Sequence, residues 1–120
     1  FLSGTGPGIV MDTGLSPSVL SMMAAVFAQH AGIEKAVLYG SRAKGTWRPQ
    51  SDIDLALVGD LPPLAAQAVA LDLDELALPY LFDVKCYADV RQGPLRQHID
   101  RVGIVVYQRE NAGEAGRAGV

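Results

Sequence analysis

Two aspartates, Asp52 and Asp54, interrupt a segment that otherwise alternates as a strand does, with Ile53, Leu55 and Leu57 on one face and Asp52, Asp54, Ala56 and Val58 on the other. Aspartate is depleted in strands. At the rise of a strand the two Cα atoms stand about 6–7 Å apart with both carboxylates on the same face. Converging oxygens of this kind suit a hard divalent cation such as Mg2+, which takes carboxylates together with phosphate oxygens and water. Two like charges so close repel unless something positive lies between them. The alternative is a strand that begins only at Ile53, leaving Asp52 a solvated loop residue.

The residues before this pair belong to the same chemistry. Gly40 and Ser41 close an apolar run, Ala36 to Tyr39. A glycine there lets backbone amides come close to a phosphate, and a serine hydroxyl can donate to its oxygens. Arg42, Lys44 and Arg48 follow in one short stretch and make a locally basic patch just ahead of two carboxylates. That order is expected where a triphosphate arrives with its metal, although an ordinary solvated loop would read the same way. A third carboxylate, Asp83, stands between Phe82 and Val84, where an unpaired charge would be costly and a partner cation is expected. If its strand neighbours the one bearing Asp54, three carboxylates gather on one sheet face, enough for two-metal activation of an attacking oxygen. Lys85 would share the face of Asp83 and offset its charge. The remaining polar residues read as structural. His30 and His98 lack metal-ligand spacing, Cys86 reads as a small buried hydrophobe, and Asp72, Asp74 and Glu75 read as the solvated face of a helix. Trp47 could stack on a base or pack back on the domain.

These side chains need a sheet to hold them, and the pattern supplies one. Ser16 can cap a helix that Pro17 opens and Gly32 closes, with Val19, Met22, Met23, Val26 and Phe27 as its buried stripe. Strands are predicted at Ala36 to Tyr39, Asp52 to Val58, Leu81 to Tyr87 and Ile104 to Tyr107. Helices are predicted from Leu64 to Leu78, stopped by Pro79, and from Pro94 to Val102, stopped by Gly103. The segment Ser41 to Gln50 is expected to be a loop or short helical turn. Helix, strand, strand, helix, strand, helix, strand is the order of an α/β or α+β domain, a mixed sheet with helices packed on it.

Composition agrees with a single core. The chain has 120 residues, 49% hydrophobic and 19% charged, which is enough apolar content to bury an interior without staples. Its one cysteine excludes an internal disulfide framework and demands no oxidising compartment, so a cytoplasmic location is expected. Ten basic against thirteen acidic residues leave a net charge of −3, which argues against nucleic acid as the direct ligand. No apolar run approaches a membrane span. Residues 1–10 are expected to be a tag-like or disordered leader with Met11 as the start, 11–110 the folded domain, and 111–120 a frayed tail.

Val37-Leu38-Tyr39-Gly40-Ser41-Arg42-Ala43-Lys44-Gly45 and Ser51-Asp52-Ile53-Asp54-Leu55, with ten residues between Ser41 and Asp52, resemble the signature of the polymerase-β-like nucleotidyltransferase superfamily. Similarity is greatest to its minimal nucleotidyltransferase (MNT) branch, single-domain proteins often paired as antitoxins with a helical HEPN-domain toxin. The resemblance spans Val19 to Tyr107 and departs from the usual pattern at Tyr39, where phenylalanine is commoner, and Lys44, where arginine is commoner. It implies a nucleotidyltransferase fold, Asp52 and Asp54 as the Mg2+-binding pair, Asp83 as the third metal-binding and catalytic carboxylate, and Gly40 and Ser41 on the phosphates of ATP. Arg42 and Lys44 would then steady the polyphosphate. It further implies transfer of AMP from ATP to a tyrosine of the partner toxin. A non-catalytic antitoxin that works by complex formation, and a small-molecule nucleotidyltransferase, stand as alternatives.

Overall fold

The structure, a computed structural model, describes residues 12–110; the expected leader and tail lie outside the described residues. Helix α1 (Pro17–Gln29) starts where Ser16 caps it, the serine Oγ accepting from the Val19 N–H at 3.1 Å with Pro17 in the first turn. It ends at Gln29, short of Gly32. The His30 N–H donates to Phe27 O and the Ile33 N–H to His30 O, which turns the chain straight into β1 (Ile33–Tyr39). That strand starts earlier than its apolar run because Glu34 and Lys35 ride on a strand paired on both sides, Lys35 opposite Val58 and Gln108.

A one-turn helix α2 (Ser41–Lys44) follows, then β2 (Ile53–Gly59), α3 (Ala65–Asp74), β3 (Phe82–Cys86), a single turn at Tyr87–Asp89, α4 (Pro94–Val102) and β4 (Ile104–Gln108). Helix α3 stops at Asp74 rather than Leu78, since the Leu76 N–H turns to Leu73 O and Ala77 takes a left-handed φ of 57°. The sheet order is β3-β2-β1-β4, antiparallel except for the parallel pair β2 and β3 that α3 connects. It is the expected mixed sheet.

Alternation along the strands splits the interior into two layers. Ala36, Leu38, Ile53, Leu55 and Leu57 face α1 and α3, packing on Met23, Val26, Phe27, Val69 and Leu73. Val37, Tyr39 and Ala56 face the other way, onto Ile99 of α4 and Val90. Asp54 shares the second face. Among the described residues no helix is long and apolar enough to cross a membrane.

Arg42 departs from its expected place on the polyphosphate. It is 1% exposed, and its guanidinium is consumed by backbone carbonyls. Nη1 donates to Thr13 O at 2.8 Å, Nε and Nη2 to Ser51 O at 3.2 and 3.0 Å, and Nη2 also to Pro49 O at 3.4 Å. The rings of Trp47 and Tyr80 lie 5.6 and 5.0 Å away. A planar donor fork is suited to stitching several carbonyls of one loop together. Arg42 thus holds residues 45–51 against the N-terminal segment, and the loop delivers Asp52 to the start of β2.

Replacing Arg42 by Met leaves these buried carbonyls without a donor and should cost about 3 kcal/mol, read from the urea unfolding midpoint. Arg42→Lys should recover only part of that, because one ammonium cannot reach carbonyls on both sides of the fork.

Candidate active site

At one end of the sheet, three neighbouring strands place three polar side chains in a row. Tyr39 of β1 is the register partner of Asp54 on β2, and Asp54 is the partner of Asp83 on β3. The parallel pairing of β2 and β3 makes the strand of Asp83 the neighbour of the one bearing Asp54. Asp52 stands just before β2 and is exposed, so the strand begins at Ile53 as in the alternative reading, with Asp52 two positions from Asp54 on the open rim.

Asp54 is half-buried. Burial raises its carboxyl above the usual aspartate range, the charges of Asp83 and Asp52 push it further, and Lys85 and His98 oppose them. Asp83 is itself half-exposed, because strand alternation turns Phe82 and Val84 to the opposite face. The cation expected beside it is Lys85, whose Nζ donates to Asp83 Oδ1 at 2.9 Å. That hydrogen bond is the main reason the Lys85 ammonium is raised. Tyr39 is buried, and burial pushes its phenol up; Lys85 works against this, while Asp83 and Asp54 add to it.

Gly40 follows Tyr39 at a φ of 76°, and a Cβ there would collide with Asp54 Oδ2. The position therefore requires glycine twice over, for backbone conformation and for room. Its amide is already engaged, donating to His98 Nε2 at 3.1 Å, so what Gly40 contributes is closeness to the Asp54 carboxylate rather than a free N–H. Ser41 is half-buried at the first position of α2, and Lys44 is exposed on the same turn. Arg48 is exposed beyond them.

Two residues of the site escape sequence reasoning. His98, on α4, packs edge-on against Tyr39 with ring centroids 6.0 Å apart as well as accepting from Gly40. Nothing local ties it to a residue 58 positions away. Tyr39 reads in sequence as the last apolar residue of a strand, and only the register shows its hydroxyl among charges. Other residues settle elsewhere. His30 Nε2 lies 2.7 Å from Asp72 Oδ2, so Asp72 is paired rather than simply solvated. Trp47 packs back on the domain, its Nε1 donating to Asp12 O at 2.9 Å. Cys86 is buried and free.

Among the described residues no three acidic, histidine or cysteine side chains converge as a finished metal cage. The donor set nonetheless fits a hard cation. A carboxylate raised by burial and by two neighbouring carboxylates is stabilised by any positive charge that enters, and all its candidate ligands are oxygens. Asp54 and Asp52 are the residues free to hold such an ion. Asp83 could join only by sharing itself between the ion and Lys85.

A mixed sheet with helices on both faces, a glycine-serine turn ending one central strand and acids opening its antiparallel neighbour, has the architecture of a nucleotidyltransferase domain. The chain belongs to the polymerase β nucleotidyltransferase family, whose model matches residues 22–112. Solved structures with the same fold include a toxin-antitoxin complex with AMP-PNP, at TM-score 0.64 and 21% identity over 80% of this chain and 78% of that one. Another is a tri-AMPylated Shewanella oneidensis HEPN toxin in complex with its MNT antitoxin, at TM-score 0.59 and 18% identity over 82% and 76%. The toxin-antitoxin MntA-HepT matches at TM-score 0.60 and 17% identity over 83% and 79%. No curated protein matches the chain in sequence.

Because the folded protein holds the Asp54 proton to a higher pH than the unfolded chain does, that proton's contribution to stability is complete below the ordinary aspartate value. It is lost as pH rises through the raised one. Asp54→Asn, unfolded in the presence of a chelator, should therefore be more stable than the parent at neutral pH, with the advantage shrinking on acidification. His98→Leu should cost about 1 kcal/mol and speed exchange of the Gly40 amide, whereas His98→Gln, whose Oε1 can accept the same bond, should keep both close to the parent.

Proposed function

We propose that the chain is an adenylyltransferase that moves AMP from ATP onto a tyrosine hydroxyl of a HEPN-type toxin and so acts as its antitoxin in the cytoplasm. The observation that carries this reading is the Asp54 carboxylate, flanked in register by Tyr39 and Asp83 and raised by burial and by its acidic neighbours. Such a concentration of negative charge serves no binder that lacks a cation partner, and it suits an ATP that arrives with its metal. The solved structures with this fold support the choice of partner, since one is a complex of an AMPylated HEPN toxin with an MNT antitoxin and another a toxin-antitoxin complex with AMP-PNP.

In this reading Asp52 and Asp54 hold Mg2+ together with the triphosphate. The ion, when bound, neutralises charge that develops on the phosphoryl oxygens. Gly40 lets the Asp54 carboxylate lie against the turn that meets the phosphates, Ser41 donates its hydroxyl to them, and exposed Lys44 offsets the charge of the departing pyrophosphate. Lys85 orients the Asp83 carboxylate through its hydrogen bond to Oδ1. The acceptor oxygen then bonds to the α-phosphorus, the bond from that phosphorus to the oxygen bridging to the β-phosphate breaks, pyrophosphate leaves, and the hydroxyl proton passes to Asp83. His98 steadies the turn through the Gly40 amide.

Incubation with α-labelled ATP, Mg2+ and a purified HEPN-domain protein of the same genome should label that protein, and Asp52→Asn with Asp54→Asn should abolish the label. A tight complex formed without any transfer would replace this reading with a stoichiometric antitoxin, and pyrophosphate release that needs no protein partner would replace it with a small-molecule enzyme.

A further inference from the structure

Across the open end of the sheet the order is fixed: the Gly40-Ser41 turn on β1, Asp54 on β2, then Asp83 and Lys85 on β3. Phosphoryl transfer sets the attacking and leaving oxygens roughly in line through the phosphorus. With the polyphosphate lying toward β1, the acceptor must come from the β3 side. On that side the structure has an open cleft of about 840 Å³, lined at its site end by Asp83 and Lys85, walled on one side by Ala66, Gln67 and Ala70 of α3 and on the other by Arg91, Gln92 and Leu95 around the start of α4. The second wall is firm, because Arg96 donates to Val90 O at 3.0 Å and stacks 4.2 Å over the ring of Tyr87.

The floor of the cleft says what kind of molecule it suits. β3 is the terminal strand of the sheet. The Ile53 N–H donates to Leu81 O, and Ile53 is paired with Phe82; in a parallel ladder this turns the N–H and C=O of Phe82 and Val84 away from β2, to the outer edge. Among the described residues no hydrogen bond from outside the sheet reaches them. An unpaired strand edge inside a cleft is matched by a ligand with its own repeating donors and acceptors, and the small side chains of Ala66 and Ala70 leave room for its alternate side chains.

We propose that the acceptor protein presents its hydroxyl on an extended segment that lies in this cleft and adds as a strand to the outer edge of β3. An added strand sits about 4.8 Å from β3, so a residue opposite Asp83 with its side chain on the same face continues the row Tyr39, Asp54, Asp83 and brings its hydroxyl beside the Asp83 carboxylate. The cleft is thus the acceptor subsite. This inference rests on the transfer reaction proposed above.

Two variants and one direct readout test it. Val84→Pro removes an outward N–H while leaving the ladder to β2 intact, as proline can on an edge strand. Ala70→Gln fills the cleft from α3 without changing charge. With the HEPN-domain partner as acceptor, each should raise the acceptor KM about tenfold, the equivalent of one main-chain hydrogen bond, with the ATP KM within about twofold of the parent. In the complex with the intact chain, the Phe82 and Val84 amides should become protected from hydrogen exchange. Label transfer that continues with unchanged acceptor KM in both variants, and with those two amides exchanging as in the free protein, overturns the cleft assignment alone. Absence of any transfer to protein, by contrast, overturns the transfer reaction and this inference with it.

Discussion

The structure is organised around one electrostatic conflict. Asp54 is half-buried at the end of a central strand with a second carboxylate beside it on β3 and a third two residues back, and its raised carboxyl records both the burial and the repulsion. A fold that served stability alone would place an amide or an apolar residue there. Much of what surrounds the position answers to this charge: the glycine that must yield its Cβ to the Asp54 carboxylate, the lysine that neutralises Asp83, and the histidine that weighs against the acids while holding the Gly40 amide. Charges held together against their mutual repulsion mark sites that await a counter-charge.

Arg42 shows the opposite use of a buried charge. It lies next to the turn that would meet phosphate, and in sequence it reads as part of the same basic patch as Lys44. Its guanidinium instead completes the backbone of the following loop, with every direction of the fork taken by a carbonyl or an aromatic ring. Desolvating a cation is tolerable where several acceptors surround it, and intolerable where it must also wait for a ligand. Two cations on one helical turn therefore divide the work: Arg42 builds the loop that carries Asp52, and Lys44 stays in solvent.

Much of the site is legible in the amino-acid sequence. The spacing of Gly40-Ser41 and Asp52-Ile53-Asp54 and the alternation of β2 depend only on local periodicity, and Lys85 falls on the face of Asp83 because strand side chains alternate by two. Element ends are less legible. Glu34 and Lys35 conceal the first half of β1 because pairing on both sides outweighs their charge, and Ala77 ends α3 early by taking a conformation that alanine seldom adopts. His98 is out of reach, since its role consists of one bond to an amide 58 residues earlier.

The order of residues along the chain sets which types stand where on each strand: the acids on one face, the apolar residues on the other, the glycine-serine turn and the helix caps. All of these follow from periodicities of two and 3.6 and from backbone rules that act within a few residues. Which strands are neighbours, and so which charges meet, emerges only when the domain folds. The order β3-β2-β1-β4 sets Asp83 beside Asp54 and Tyr39 on its other flank and leaves the edge of β3 open next to them, while the carbonyls of Thr13 and Ser51 draw Arg42 inward. Coulombic and desolvation energies depend on distances through space, and the chain's order does not contain those distances until the sheet has closed over its core.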